Sequence, residues 1–196
     1  MSLGQTMITM GMLLLLIMSV ISANKMITDN ATAQLQAQAL ASSATIANDL
    51  LLEIMSKHFD GKPYDPYNAV AVGKDTTGGL GTADFTDAVS LGPSTTEAAA
   101  CSLPDSSYVG SYKSIAVYND VDDYNGYQRI VTFNGISGFV VDVVVYYVTS
   151  SAPDSKTTSK TTFKRIQVTV SHPLYLIYDS SPGANNATVY TAVASY

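Results

Sequence analysis

The chain has 196 residues, 10 Lys plus Arg against 16 Asp plus Glu, and a formal net charge of −6. No basic patch stands out, so no nucleic-acid partner is expected. Charged residues are only 13% of the chain, which is low for a monomer that water covers on every side. Ser, Thr, Asn and Tyr supply the polarity instead, as suits a surface or filament protein whose faces are covered by neighbours.

The first predicted element is a helix over residues 1–60. No charged side chain occurs from Met1 to Asn24, and no proline precedes Pro63. The apolar core comprises Met7, Ile8, Met10, Gly11, Met12, Leu13, Leu14, Leu15, Leu16, Ile17, Val20 and Ile21. At about 1.5 Å per residue, such a rod is roughly 80 Å long. A small domain cannot bury it from end to end, so a membrane or further copies of the chain must cover it. A cleaved secretory signal is not expected, because no Lys or Arg precedes the apolar run and the helical pattern continues past Ser19 and Ala23. As a membrane anchor the core is short, since about 20 apolar residues span a bilayer. The third device fits best: a helix that waits in the membrane and then packs against copies of itself.

After Lys25 the pattern becomes periodic. Ile27, Ala31, Leu35, Ala39, Ile46, Leu50 and Ile54 form a stripe, widened by Leu40, Ala44, Ala47, Leu51 and Met55. Gln34, Gln36, Gln38, Ser42 and Ser43 lie between them, able to bond helix to helix without the desolvation cost of charge. Glu53 and Lys57 stand at i,i+4 spacing. Gly61 and Pro63 mark the stop.

Residues 61–196 read as a β-rich head. Loops are expected at Gly78–Thr82 and Leu91–Thr96. Short strands are expected at Asn68–Val72 and Lys113–Tyr118. Stronger ones follow at Tyr127–Phe133, which Asn134-Gly135 closes as a hairpin signal, and at Gly138–Thr149. Ser150–Lys160 is a turn. Thr161–Ser171 alternates, with Phe163, Arg165, Gln167 and Thr169 on one face and Ile166, Val168 and Val170 on the other. Leu174–Tyr178 and Thr188–Ser195 complete the set. Fold class is therefore α+β: a long N-terminal helix whose rear half covers a mostly antiparallel sheet. Asp142, a charge inside an apolar strand, is expected either to pair with Lys164 or Arg165 or to lie on a water-facing edge. Cys101, the single cysteine, follows three alanines and reads as a small buried residue.

Four places carry a resemblance. They are the Gly4-Gln5 step before a helix of about fifty residues, the run Leu50–Asp60, the run Tyr118–Tyr127, and the strand Phe163–Ser171 after a long Val/Tyr strand. Together they resemble the type IV pilin-like family, more narrowly minor pilins of the mannose-sensitive haemagglutinin type and related pseudopilins. The resemblance implies a structural subunit of an extracellular helical filament on the cell surface, reached through the cytoplasmic membrane. The subunits would self-assemble as a homopolymer, with helices in the core and heads outside. A monomeric membrane-anchored adhesin or sugar-binding module, and a pseudopilin of a secretion system, are the alternatives. Family members carry a basic leader, an aromatic residue after the glycine and a glutamate four positions further on. Here Met1–Gly4 has no positive charge, Gln5 takes the aromatic position and Thr9 that of the glutamate. Cleavage after Gly4 therefore stays open. Thr9 cannot pair with a neighbour's N-terminus, so register has to come from packing and from Gln and Thr contacts.

Asp120, Asp122, Asp123 and Asn125 form the densest oxygen cluster. They are a candidate calcium set, with Gly126 permitting a sharp turn, or else a solvated acidic turn that caps backbone amides. Asn30 and Asn186 head N-x-[ST] sequons, and Thr157, Thr158 and Ser159 lie in a hydroxyl-rich tract, so a covalent glycan is a second candidate. His58 and His172 are far apart, no nucleophile–base arrangement is visible, and Gly78–Thr82 lacks the lysine of a phosphate loop. No enzyme is expected.

Overall fold

The structure, a computed structural model, describes residues 3–60, 85–106, 111–176 and 187–195. Two compact units make it up, Met1–Ala39 and Leu40–Tyr196. Helix α1, Leu3–Met55, runs through the division. The predicted Asn68–Val72 strand, the Gly78–Thr82 loop and Gly61 lie outside the described residues.

The first unit is helix alone. Leu, Met, Ala and Gln keep good rotamer freedom in a helix, and nothing in the run breaks it. Every described residue from Leu3 to Gln38 is exposed. The threonines hide their polarity: Thr6 Oγ1 donates to Leu3 O at 2.8 Å, Thr9 to Thr6 O at 3.0 Å, Thr28 to Asn24 O at 2.9 Å and Thr32 to Thr28 O at 3.0 Å. At these four positions the helix's own carbonyls take up the side-chain hydroxyl.

In the second unit the rear of α1 is amphipathic. Ser42, Ser43, Ile46, Ala47, Leu50 and Ile54 are buried, while Asn48, Asp49, Leu52 and Met55 are exposed. Ser42 and Ser43 thus lie on the covered side, not between helices. Ser43 Oγ meets Thr188 Oγ1 at 2.6 Å.

The head continues with α2 (Thr95–Ala100), β1 (Asp105–Ser106), α3 (Lys113–Val117), a 3-10 turn at Asp122–Tyr124, then β2 (Gln128–Phe133), β3 (Ile136–Tyr147), β4 (Phe163–Ser171) and β5 (Thr188–Ser195). The five strands lie in sequence order; β1 pairs parallel to β2 and the other pairs are antiparallel. Asn134 (φ 49°) and Gly135 (φ 78°) make the β2–β3 hairpin, because its right-handed twist needs two residues at positive φ. Burial alternates along the two central strands. Phe139, Val141, Val143, Val145 and Tyr147 of β3 point inward, as do Lys164, Ile166, Val168 and Val170 of β4. On the other face Val144 is exposed, so β3 is not covered on both sides.

Three expectations are corrected. Lys113–Tyr118 is not a strand: α3 forms there because the Asp105 carboxylate accepts the Ser114 amide at 3.2 Å, capping its first turn. Leu174 to Leu176 form a turn, not a strand. His172 Nδ1 accepts the amides of Leu174 (3.2 Å) and Tyr175 (3.3 Å), and His172 and Leu176 close the bridge. Within the expected Leu91–Thr96 loop, α2 already starts at Thr95. Ser94 and Glu97 cap it reciprocally, a capping box that the spacing Ser94-x-x-Glu97 announces.

Candidate functional site

The largest uncovered apolar surface among the described residues is the front of α1. Met7, Ile8, Met10, Met12, Leu13, Leu14, Leu15, Leu16, Ile17, Val20 and Ile21 are all exposed, the least of them, Ile17, at 44%. Gly11 lies among them, and a Cβ built there meets nothing within 4 Å. Because apolar residues occupy consecutive positions from Met12 to Met18, the surface is apolar on every side of the helix. The helix is long and apolar enough to cross a membrane.

Within the second unit two polar clusters tie the rear of α1 and the segment after it to the rest of the head. The first centres on Glu53. Its Oε1 accepts from Ser114 Oγ and Tyr124 OH, both at 2.7 Å, and its Oε2 from Arg129 at 3.0 Å. Tyr118, Tyr124 and Tyr127 pack edge-to-face beside it, with ring centroids 5.0–5.6 Å apart. Tyr127 OH reaches Asp105 Oδ2 at 2.9 Å. Burial pushes the Tyr124 and Tyr127 hydroxyls far above the ordinary range. Glu53 does not use its i+4 neighbour. Lys57 instead donates to the carbonyls of Ile115 and Tyr118, both at 2.8 Å.

The second cluster centres on Lys164, whose side chain is wholly buried. Its ammonium donates to Phe59 O at 2.7 Å, Asp122 Oδ1 at 2.7 Å and Asp60 Oδ2 at 3.1 Å. It also lies 4.5 Å above the Phe59 ring centre. Three acceptors match the three hydrogens of an ammonium. Asp120 completes the carboxylate group: one oxygen each from Asp60, Asp120 and Asp122 lie within 4.8 Å of one another. Backbone bonds join the same pieces, since His58 N donates to Asn119 O at 3.3 Å and Val121 N to His58 O at 2.9 Å.

Of the four oxygen-bearing residues singled out for calcium, Asp120 and Asp122 come together and the other two turn elsewhere. Asp123 Oδ2 accepts the amides of Asn119 (2.9 Å) and Asp120 (3.2 Å). Asn125 donates to Leu91 O at 2.9 Å and accepts the Val145 amide at 3.0 Å. The central cation of the cluster is the Lys164 ammonium. Asp142 is not its partner: Asp142 accepts Gln128 Nε2 at 2.7 Å, and Arg165 pairs with Asp154. Lys164 and Arg165 are adjacent in a strand, so they point to opposite faces, and the buried one takes the buried acids. Asn30 is exposed on α1, Thr158 and Ser159 are exposed and Thr157 is half-buried; Asn186 lies outside the described residues. Cys101 is buried, as expected.

No known family, curated protein or solved structure matches this chain. The long apolar helix with its mostly antiparallel sheet is compatible with a pilin-like architecture. No local sequence pattern marks Asp60, Glu53 or Arg129 as an anchor, and Lys164 is marked only weakly. The one available signal was a lysine in phase with Ile166, Val168 and Val170 of an alternating strand.

Proposed function

We propose that the chain is a structural subunit of a helical surface filament, in which helices like α1 bundle in the core and β-rich heads form the outer wall. The observation that carries this reading is the exposed apolar surface of α1 from Met7 to Ile21. Each large apolar side chain left in water forgoes about 1.5–3 kcal/mol. A dozen together demand lipid or neighbouring helices. The internally bonded threonines support close packing, because they present no unmet donor to a neighbour. The subunit would wait in the membrane before assembly. A helical homopolymer follows when one patch of a subunit meets a different patch of the next and the rotation does not close.

Gly11→Leu tests the packing directly. The site is open in the single subunit, so leucine disturbs nothing there and raises helix propensity and hydrophobicity. Negative-stain images after detergent removal should show filaments from the native chain and none from Gly11→Leu, with both chains still inserting into membranes. Unchanged filaments would overturn the close-approach account. A native chain that stays monomeric at every concentration would favour a single-pass anchored module, which the span-length helix also permits.

A further inference from the structure

We propose that a groove on the head receives the α1 helix of a second copy of this chain, with Lys25 of that copy seated on Asp49. The contact rests on the filament reading and gives the filament a register. The groove has a volume of about 600 Å³ and lies between the rear of α1, α3 and β2. Ile46 and Val131 line it from the core, and Leu52 and Ile115, 69% and 47% exposed, line it from the surface. Arg129, 4% exposed, lines it too and keeps its Nε without a hydrogen-bond partner. A buried donor left unpaired costs free energy until an acceptor meets it. An apolar groove of this kind, beside a helix, suits a second helix that carries apolar anchors.

Charge selects the occupant. Lys25 is the only cation among residues 1–56, and Asp29, Asp49 and Glu53 are the only acids there. Glu53 is taken by Arg129, whereas Lys25, Asp29 and Asp49 are exposed and in no ion pair among the described residues. Lys25 and Asp29 share one helix at i,i+4, in the less favourable order for such a pair. Covering either one among apolar helices without a partner is costly. The groove offers the opposite pattern at the same spacing. Asp49 comes first, and one turn on, level with Glu53, stands the Arg129 guanidinium. Arg129 gives Glu53 one nitrogen, at 3.0 Å, which leaves donors for a second carboxylate. Two copies running in the same direction satisfy both charges at a single stagger: Lys25 faces Asp49, and Asp29 faces Arg129. At that stagger Ile21, one turn before Lys25 and 62% exposed, comes level with Ile46. Apolar contact and charge therefore agree on one register.

Charge reversal tests the pair in the full chain, with filaments read by sedimentation and negative stain after detergent removal. Lys25 and Asp49 are exposed in the single subunit, so Lys25→Glu and Asp49→Lys should melt like the native chain in detergent. Each alone should raise the concentration needed for filaments by at least about tenfold. The two together should bring it back to within about threefold of native. Native-like assembly by either single variant would overturn the proposal, and so would a double variant no better than its parents. Rescue of Lys25→Glu by Asp29→Lys instead would also overturn it, by placing the partner acid outside the groove. If a reversed chain does not fold, a carbodiimide cross-linker on mixed isotope-labelled and unlabelled native chains decides. An amide between Lys25 of one copy and Asp49 of another is expected in the mass spectrum. Native filaments without that link would refute this contact and leave the filament reading standing. A native chain that forms neither filaments nor the link would defeat both.

Discussion

Replacing Lys164 with methionine should be among the most damaging single changes in the head. Methionine fills much of the same volume, so little cavity forms. What it leaves behind is electrostatic. Asp60 and Asp122, at 0% and 4% side-chain exposure, lose an ammonium at 3.1 and 2.7 Å, and Phe59 O loses a donor at 2.7 Å. Removing one partner of a buried pair costs about 3–5 kcal/mol, because the other charge stays buried without it. For a unit of this size, each kcal/mol lowers Tm by about 2–4 °C, so a fall of roughly 10 °C is expected. Circular dichroism melts of the full chain in detergent at pH 7 measure it. The exposed pair Lys160–Asp87, 3.0 Å apart with side chains 26% and 63% exposed, is the control. Lys160→Ala should move Tm by less than about 2 °C, since exposed pairs contribute about 0–1 kcal/mol. Adding Asp122→Asn to Lys164→Met should recover part of the loss, because the two changes act on one network. A Lys164→Met chain that melts within 2 °C of the native one would refute the view that this ion cluster anchors the fold.

Two further outcomes are expected. Leu50→Ala should lower head stability by about 2–5 kcal/mol, because Leu50 is fully buried in the rear of α1; denaturant melts give the value, and a loss under 1 kcal/mol would mean that face is not packed. Cys101 should react slowly with a thiol reagent in the folded chain and fast in denaturant, since it is 1% exposed and burial raises its pKa; equal rates in both conditions would contradict its placement.

The sequence by itself determined whatever depends on local periodicity and turn chemistry. The uninterrupted apolar run without proline specifies α1, Asn134-Gly135 specifies the hairpin, and period-two alternation places β2, β4 and β5 within a residue or two. It also announced an uncovered surface, because consecutive apolar residues cannot all face one head. Tertiary structure decided what depends on partners distant in the chain. Lys113–Val117 is a helix because Asp105, eight residues before it, caps the turn. Glu53 takes Arg129, Ser114 and Tyr124 in place of its i+4 lysine, because Arg129 is buried beside it and Lys57 is held by the carbonyls of Ile115 and Tyr118. The oxygen cluster at 120–125 offered either a calcium set or a solvated turn that caps backbone amides. Folding brings the chain's own Lys164 into it from 42 residues away, and no local pattern in the sequence encodes that meeting.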